Sequence, residues 1–466
     1  MTHAQRLAAF INQAEYECIS EAARRQLKIR VLDALGCAIG ALGSPVTQAI
    51  RKQICEFGGA PLCTMFGGGR SAPDRAAFYN SALVRYLDFN DSYLAKNETC
   101  HPSDNLGAAL AACEYARGTG KDFLTALAVA YQVQCRLSDV APVRDKGFDH
   151  ATQGAYAVAA GVAKALKLNR DQTANALAIC GTAFNALRVT RTGALSNWKG
   201  LAYPNTAFCA THGAFLAMHG ITGPLEVFEG NKGFMDAISG RFEIDWCQED
   251  LERVTRTIVK RYNAEIHSQS ALEGVLELRN RYGFQPPAIE RIDIEIFDVA
   301  FKIIGGGEEG DKSIVRTKEE ADHSLPYLIA AALLDGDVMP EQYSPQRIQR
   351  ADVQKLLRNV HIKPAQDLSD RFPREMPCRI WVRLQDRAGF FIEKSDYEGF
   401  MTRPASWEQA IDKFERLSAP HTSPSLRRQI IGVMDTLEMK PVRELTDLLE
   451  PVATSTLTED LQYGGT

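Results

Sequence analysis

The 466-residue sequence contains no uninterrupted apolar stretch of about 18 residues, so nothing in it reads as a membrane span. Its opening, Met1-Thr2-His3-Ala4-Gln5-Arg6, is polar and has no apolar signal core behind it, and a cytoplasmic protein is expected. Basic runs are also lacking, and the formal net charge is only −5, which argues against a general nucleic-acid binder. The motif Cys-x-x-Cys occurs nowhere. The 11 cysteines (18, 37, 55, 63, 100, 113, 135, 180, 209, 247 and 378) are odd in number and scattered. Most fall in apolar helical stretches, where a reduced thiol acts as a small hydrophobe, so a reducing compartment is expected. Iron–sulfur clusters need clustered thiolates and structural zinc sites usually do, so no metal and no cofactor are expected.

Several catalytic signatures are missing as well. Gly67-Gly68-Gly69 and Gly305-Gly306-Gly307 lack the spacing of a phosphate loop. The pair Lys312-Ser313 is preceded by Asp311 where a P-loop needs glycine. Both glycine runs read as turns. No Gly-x-Ser-x-Gly supports a serine hydrolase, and no His-Glu-x-x-His supports a zinc protease.

What is present is helical periodicity. Ile29, Leu32, Leu35, Ile39 and Leu42 recur at helical spacing. A helix over 105–117 is expected after Ser103-Asp104 as N-cap, another over 122–138, and an Ala- and Gly-crowded one over 153–168. Asn169-x-x-Gln172 reads as the capping box of a helix over 170–187. Near residue 256 the pattern changes. Ile292, Ile294 and Ile296 alternate with Asp293 and Glu295, as in a half-buried strand. Val360 and Ile362 flank His361 in a second strand. Ile380, Val382 and Leu384 form a third, joined through Asp386-Arg387-Ala388-Gly389 to Phe390–Lys394 as a hairpin. Helices over 322–335 and 347–358 lie between, and 406–417 and 424–435 are helical again. Length alone favours two domains. The expected fold is mostly α: a large all-helical domain (1–255 plus 399–466) with an inserted smaller α+β lid domain (256–398).

The densest chemistry lies between two helices, in Asp88-Phe89-Asn90-Asp91-Ser92 and His101-Pro102-Ser103-Asp104-Asn105. Carboxylates, a hydroxyl and an imidazole in a loop on a rigid scaffold suit catalysis. The plainer account is a capped loop with His101 at the surface. By the same account His150 caps a helix, Lys199 is a solvated lysine in a polar loop, and His267 starts a helix with no further duty. His3, His219, His361 and His421 read as structural or surface, and His212 as packed. His323 is left unassigned, and Asp104 and Asn105 read mainly as helix-start residues.

These two segments together resemble the signature of the MmgE/PrpD family, and the resemblance runs over nearly the whole chain. Phe148-Asp149-His150 resembles the family's second histidine, and Ser196-Asn197-Trp198-Lys199 its lysine segment. Glu265-Ile266-His267-Ser268-Gln269-Ser270-Ala271 is similar to the Phe-His-Ala/Ser-Gln-Thr-Ala stretch of its dehydratases. Asp322-His323-Ser324-Leu325-Pro326-Tyr327 is similar to its tyrosine segment. Ser92 stands where the family often has Thr, which keeps the hydroxyl. The stretch from Ser92 to His101 is longer than in decarboxylase relatives and closer to the dehydratases.

The resemblance implies the catalytic set Asp88, Ser92, His101, His150, Lys199, His267 and Tyr327. It implies a hydro-lyase dehydrating a citrate-like tricarboxylic acid, 2-methylcitrate to 2-methylaconitate first, by metal-free acid–base catalysis. Decarboxylation of cis-aconitate and epimerisation of an amino-dicarboxylate are alternatives on the same fold. A non-catalytic metabolite-binding protein is the alternative from another class. Lys199 and the histidines suit carboxylate binding and the charge that develops on proton removal, and a histidine is the natural proton carrier. Asp88 or Asp91 could fix a histidine tautomer. The expected partners are a small polycarboxylate substrate and a second copy in a homodimer, with no nucleic acid and no membrane. The site is expected between the two domains, closed by the lid.

Overall fold

The computed structural model describes residues 1–452, apart from 97, 194, 308 and 309. The polar tail expected to fray beyond Pro451 therefore lies, from residue 453, outside the described residues. The chain divides into two compact units. The first comprises Met1–Arg191, Asn197–Thr257 and the chain from Ser406 onwards; the second comprises Thr192–Ser196 and Ile258–Ala405.

The first unit includes the helices α1 His3–Gln13, α2 Glu21–Gly40, α3 Pro45–Phe57, α4 Pro73–Tyr86, α5 Leu106–Tyr115, α6 Gly120–Val140, α7 Ala151–Ala165, α8 Arg170–Ala183 and α9 Trp198–Met218. Their starts are chemically marked. Ser20 Oγ accepts from Ala23 N, and Thr119 with Asp122 and Asn169 with Gln172 form reciprocal capping boxes. Helix α7 packs against α6, α8 and α9, and α4 packs against α5 and α9. Small residues allow this approach. A Cβ on Gly154 of α7 would stand 2.4 Å from the Tyr203 ring of α9, so only glycine lets that ring lie on the start of α7. The helix Trp407–Ser418 closes on α2.

Four expectations for this unit are corrected. It is not purely helical: β1 Cys63–Thr64 pairs with β2 Arg70–Ser71, and β3 Tyr93–Leu94 pairs with β4 Thr99–Cys100, both antiparallel. The second pair folds the Ser92–His101 segment into a hairpin too short for a periodic signal. Ser103 and Asp104 do not cap α5. They lie inside a 3₁₀ turn, Pro102–Asn105, and their polar atoms go to the preceding loop. Helix α8 ends at Ala183, not at 187, because the next residues leave to pair with the chain before α7: Asp149 N donates to Ala186 O at 2.9 Å. His212 is exposed, 3.5 Å from Asp74, not packed, because it lies on the outer side of α9.

The second unit contains a four-stranded sheet of β5 Ile289–Ile296, β6 Val360–Pro364, β7 Cys378–Leu384 and β8 Gly389–Lys394, in spatial order β6-β5-β7-β8. Strands β5 and β6 are parallel and the other pairs antiparallel. Ile292, Ile294 and Ile296 point into the core, as their alternation requires. On the opposite face Glu295 and Glu393 each lie 3.0 Å from Arg379, joining three strands by opposite charge. Helix α10 Gln269–Tyr282 covers β7 and β8, and the helix Leu325–Asp335 packs on α10. The helix expected over 322–335 is present as Leu325–Asp335, its start set by the Ser324 cap, and a separate turn, Lys318–Ala321, precedes it. The one expected over 347–358 is divided, into Pro345–Ile348, Ala351–Leu356 and a 3₁₀ turn.

Among the described residues no single helix is long and apolar enough to cross a membrane. The pair α2 and α3 reaches that length and composition together, but is bent by 87°.

Candidate active site

Helix α4 delivers the first part of the site. Its chain leaves through Asp88, which adopts a left-handed backbone (φ 53°) just past the helix end, a position usually given to glycine. The Asp88 carboxylate lies between two cations, 2.5 Å from Arg85 Nη1 and 3.6 Å from Lys199 Nζ. Lys199 is buried in the first turn of α9, so it is not the solvated loop lysine of the plainer account. Arg85, one turn before Asp88, also faces Asn90 and Asp104, and Asn90 donates to Ser103 Oγ and Asp104 Oδ1.

The loop after Asp88 is pinned from below. Lys413 donates to the Phe89 carbonyl at 2.7 Å, lies 3.7 Å over the Phe89 ring, and pairs with Asp33. The Asp91 carboxylate is also committed to structure, accepting from Tyr131 Oη (2.8 Å) and Ser103 N (3.0 Å). It is the Asp91 carbonyl that meets His101, 2.8 Å from Nδ1. A carbonyl can only accept, so Nδ1 carries the proton and Nε2 is the other tautomeric nitrogen. Ser92 Oγ stands 3.1 Å from the same Nδ1.

The His101 ring meets His150 edge to face, with centroids 5.5 Å apart. His150 is buried and makes no cap hydrogen bond for α7. Its Nδ1 lies 3.3 Å from Asp149 Oδ1, and its ring stacks on Tyr203. Among the described residues its Nε2 is buried without a hydrogen-bond partner. Burial, reinforced by Arg191, Arg85 and Arg188, brings the His150 pKa down to about 3 against the opposing charge of Asp149. His150 is therefore neutral near pH 7. Asp149 itself resists the penalty of burial because Arg191 and then His150 hold its carboxyl well below the usual range. Asp104 goes the other way. Burial outweighs Arg85 and the Asn90 hydrogen bond and pushes it up to about 7.

The other two expected residues lie in the second unit, with separate partners. His267 follows Glu265, whose Oε1 lies 2.7 Å from Nδ1 and whose Oε2 accepts from the His267 backbone N–H at 2.8 Å. The ring is flanked by Phe297 and Phe372. Tyr327 is fully buried, and its hydroxyl donates to the Gln342 carbonyl, as a core tyrosine's does.

Asp88, Ser92, His101, His150 and Lys199 thus share one network, while Asp91 and Asn105 support it. Sequence reasoning assigned no role to Arg85, Asp149, Arg191 or Glu265. Asp149 and Glu265 stand one and two residues before a histidine, and Arg85 stands three before Asp88, a spacing that faces it on a helix. Arg191 gave no such signal, because it reaches Asp149 from 42 residues away.

Comparison with known families adds to this geometry. Residues 5–247 match the MmgE/PrpD N-terminal domain and residues 262–439 the MmgE/PrpD C-terminal domain. The chain belongs to the MmgE/PrpD family. Relatives within reach include the 2-methylcitrate dehydratases of Salmonella typhi and Escherichia coli K12. Each is 28% identical over 466 residues, covering 93% of this chain and 94% of the relative. The cis-aconitate decarboxylase of Mus musculus is 25% identical over 470 residues, covering 95% of this chain and 92% of that one. This MmgE/PrpD member is therefore similar to dehydratases and to a decarboxylase across almost its whole length.

Proposed function

We propose that this MmgE/PrpD member dehydrates a citrate-like tricarboxylic acid, 2-methylcitrate first, using its own side chains as acid and base. Its family and its relatives make it an enzyme of the lyase class. The observation that carries the reading is the pair of buried imidazoles, His101 and His150, with ring centroids 5.5 Å apart. They belong to the network that includes the buried Lys199 cation and its partner Asp88.

Dehydration removes a proton from the carbon beside a carboxylate and expels the hydroxyl of the neighbouring carbon as water, leaving a conjugated double bond. Lys199 anchors a substrate carboxylate and stabilises the charge that builds on it as the proton leaves. His150, neutral and with its Nε2 lone pair available, is the base. A bound polycarboxylate brings negative charge beside it and raises its proton affinity only once substrate is in place. His101 acts as the acid in its doubly protonated form: Nε2–H gives its proton to the departing hydroxyl, and Nδ1–H stays on the Asp91 carbonyl, which keeps the ring oriented. His267 is proposed as a further proton carrier, and Tyr327 as a supporting residue. The assembly proposed is a homodimer, tested by sedimentation.

The test is product formation by purified enzyme from 2-methylcitrate, with a chelator present, followed by the absorbance of the conjugated double bond. Turnover unaffected by the chelator supports the reading. Turnover abolished by the chelator and restored by a metal sinks the metal-free mechanism. Release of carbon dioxide from cis-aconitate, with 2-methylcitrate inert, moves the assignment to decarboxylation.

A further inference from the structure

Glu265 uses both oxygens on one residue. Oε2 accepts from the backbone N–H of His267 at 2.8 Å, and Oε1 lies 2.7 Å from the ring Nδ1. The first contact is that of a residue capping the short turn Ile266–Ser268. The second is not needed for any cap. Together they fix the ring plane from two points. Phe297 and Phe372, stacked on each other at 4.4 Å, each hold a face or edge of the imidazole at 5.6 Å. The ring is 2% exposed, and among the described residues its Nε2 has no hydrogen-bond partner. Leaving a buried ring nitrogen unsatisfied costs on the order of 1–3 kcal/mol, a cost that a bound hydrogen-bond donor would relieve.

We infer that Glu265 is a positioning residue: it holds His267 as the Nδ1–H tautomer, so that Nε2 is presented as a proton acceptor to a ligand. The inference rests on the proposed acid–base reading only for its kinetic consequence. The groups facing Glu265 favour its anionic form. His267, His323 and Lys260 outweigh the cost of burial and bring its carboxyl down to about 2, and its backbone N–H donates to the Asp322 carbonyl. An anionic carboxylate has no proton to give, so the proton between Oε1 and Nδ1 belongs to the ring.

Glu265→Gln separates capping from tautomer control. Its single amide oxygen can still accept from the His267 backbone N–H, but its NH₂ then faces Nδ1 and forces the ring proton to Nε2. The primary measurement is the ¹⁵N spectrum of histidine-labelled full-length protein without substrate, with the His267 signals assigned from His267→Asn. Wild type is expected to show a protonated Nδ1 and a bare Nε2, and Glu265→Gln the reverse. With substrate, Glu265→Gln is expected to lower kcat by about 10²–10⁴-fold while KM changes little. Glu265→Asp, which keeps the charge, is expected to keep the wild-type tautomer and more of kcat. A wild-type His267 protonated on Nε2, or an unchanged tautomer in a folded Glu265→Gln, overturns the inference. So does a Glu265→Asp enzyme as impaired as Glu265→Gln. Because the spectrum is read without substrate, failure of the proposed reaction leaves a different record: the tautomer as stated, with no turnover of 2-methylcitrate.

Discussion

Asp149 divides its carboxylate between His150 and Arg191: Oδ1 lies 3.3 Å from His150 Nδ1, and Oδ2 accepts from Arg191 Nε. The arginine offsets the negative charge, while the other oxygen still faces Nδ1 of the ring. This gives His150 an orienting partner without making it a cation. Asp149→Asn keeps the shape but offers an NH₂ to Nδ1. The expected result is a fall in kcat of about 10²–10⁴-fold with a small change in KM. Steady-state kinetics, with circular dichroism to show the fold retained, checks it. An active Asp149→Asn would remove His150 from the base role.

Lys199→Met takes away the cation on α9 but keeps a long apolar stem of similar length. The loss of a positioned charge at the developing anion is expected to cost about 10²–10³-fold in kcat/KM. Asp88 then keeps its contact with Arg85. Tritium or deuterium exchange at the substrate carbon would separate the steps. If exchange is lost together with turnover, Lys199 acts on proton removal. If exchange persists, its role lies in the later departure of the hydroxyl.

Gly154→Ala tests how the scaffold sets the site. The added methyl would meet Tyr203 at 2.4 Å. Tyr203 stacks on His150 and bonds to Asn105 and Gln134, so the ring cannot move without disturbing them. Overpacking of this kind costs about 1–3 kcal/mol. Urea unfolding should show that loss, and kcat should fall although no ionisable group has changed. Wild-type activity in a destabilised variant would mean that the Tyr203–His150 stack is not needed.

Asp104 and His150 are expected to push stability in opposite directions with pH. The Asp104 pKa is raised from 3.8 to about 7 on folding, so the folded state keeps a proton the unfolded chain has released. Its contribution declines as pH rises through that window. The His150 pKa is lowered from 6.5 to about 3, so the unfolded chain takes up a proton the folded state refuses, and its contribution declines as pH falls below 6.5. Melting temperatures of Asp104→Asn, relative to wild type, should therefore improve as pH rises from 3.8 towards 7. Those of His150→Gln should improve as pH falls from 6.5. Parallel trends in the two variants would refute these environments.

The local elements were legible because their causes are local. The Asn169–Gln172 box, the alternation of Ile292, Ile294 and Ile296, and the turn at Asp386–Gly389 each act within a few residues. The end of α8 was not, since Ala183 is followed by no breaker and the chain turns away only to meet Asp149. The hairpin inside the Ser92–His101 segment escaped for a similar reason: two residue pairs are too few to show a period. Of the candidate site in the first unit, the ionisable side chains Asp88, His101, His150 and Lys199 could be named in order along the chain.

Their states could not be named. A histidine's proton affinity and tautomer depend on what burial and distant charges bring to each nitrogen. The sequence alone determined which groups exist, how they are spaced, and the helices and strands that carry them. Only the tertiary structure decided that the Asp91 carbonyl, not its carboxylate, orients His101, that Arg191 helps keep His150 neutral, and that Tyr327 spends its hydroxyl on Gln342. These are relations between residues far apart in the chain, set by packing and by the desolvation that packing imposes.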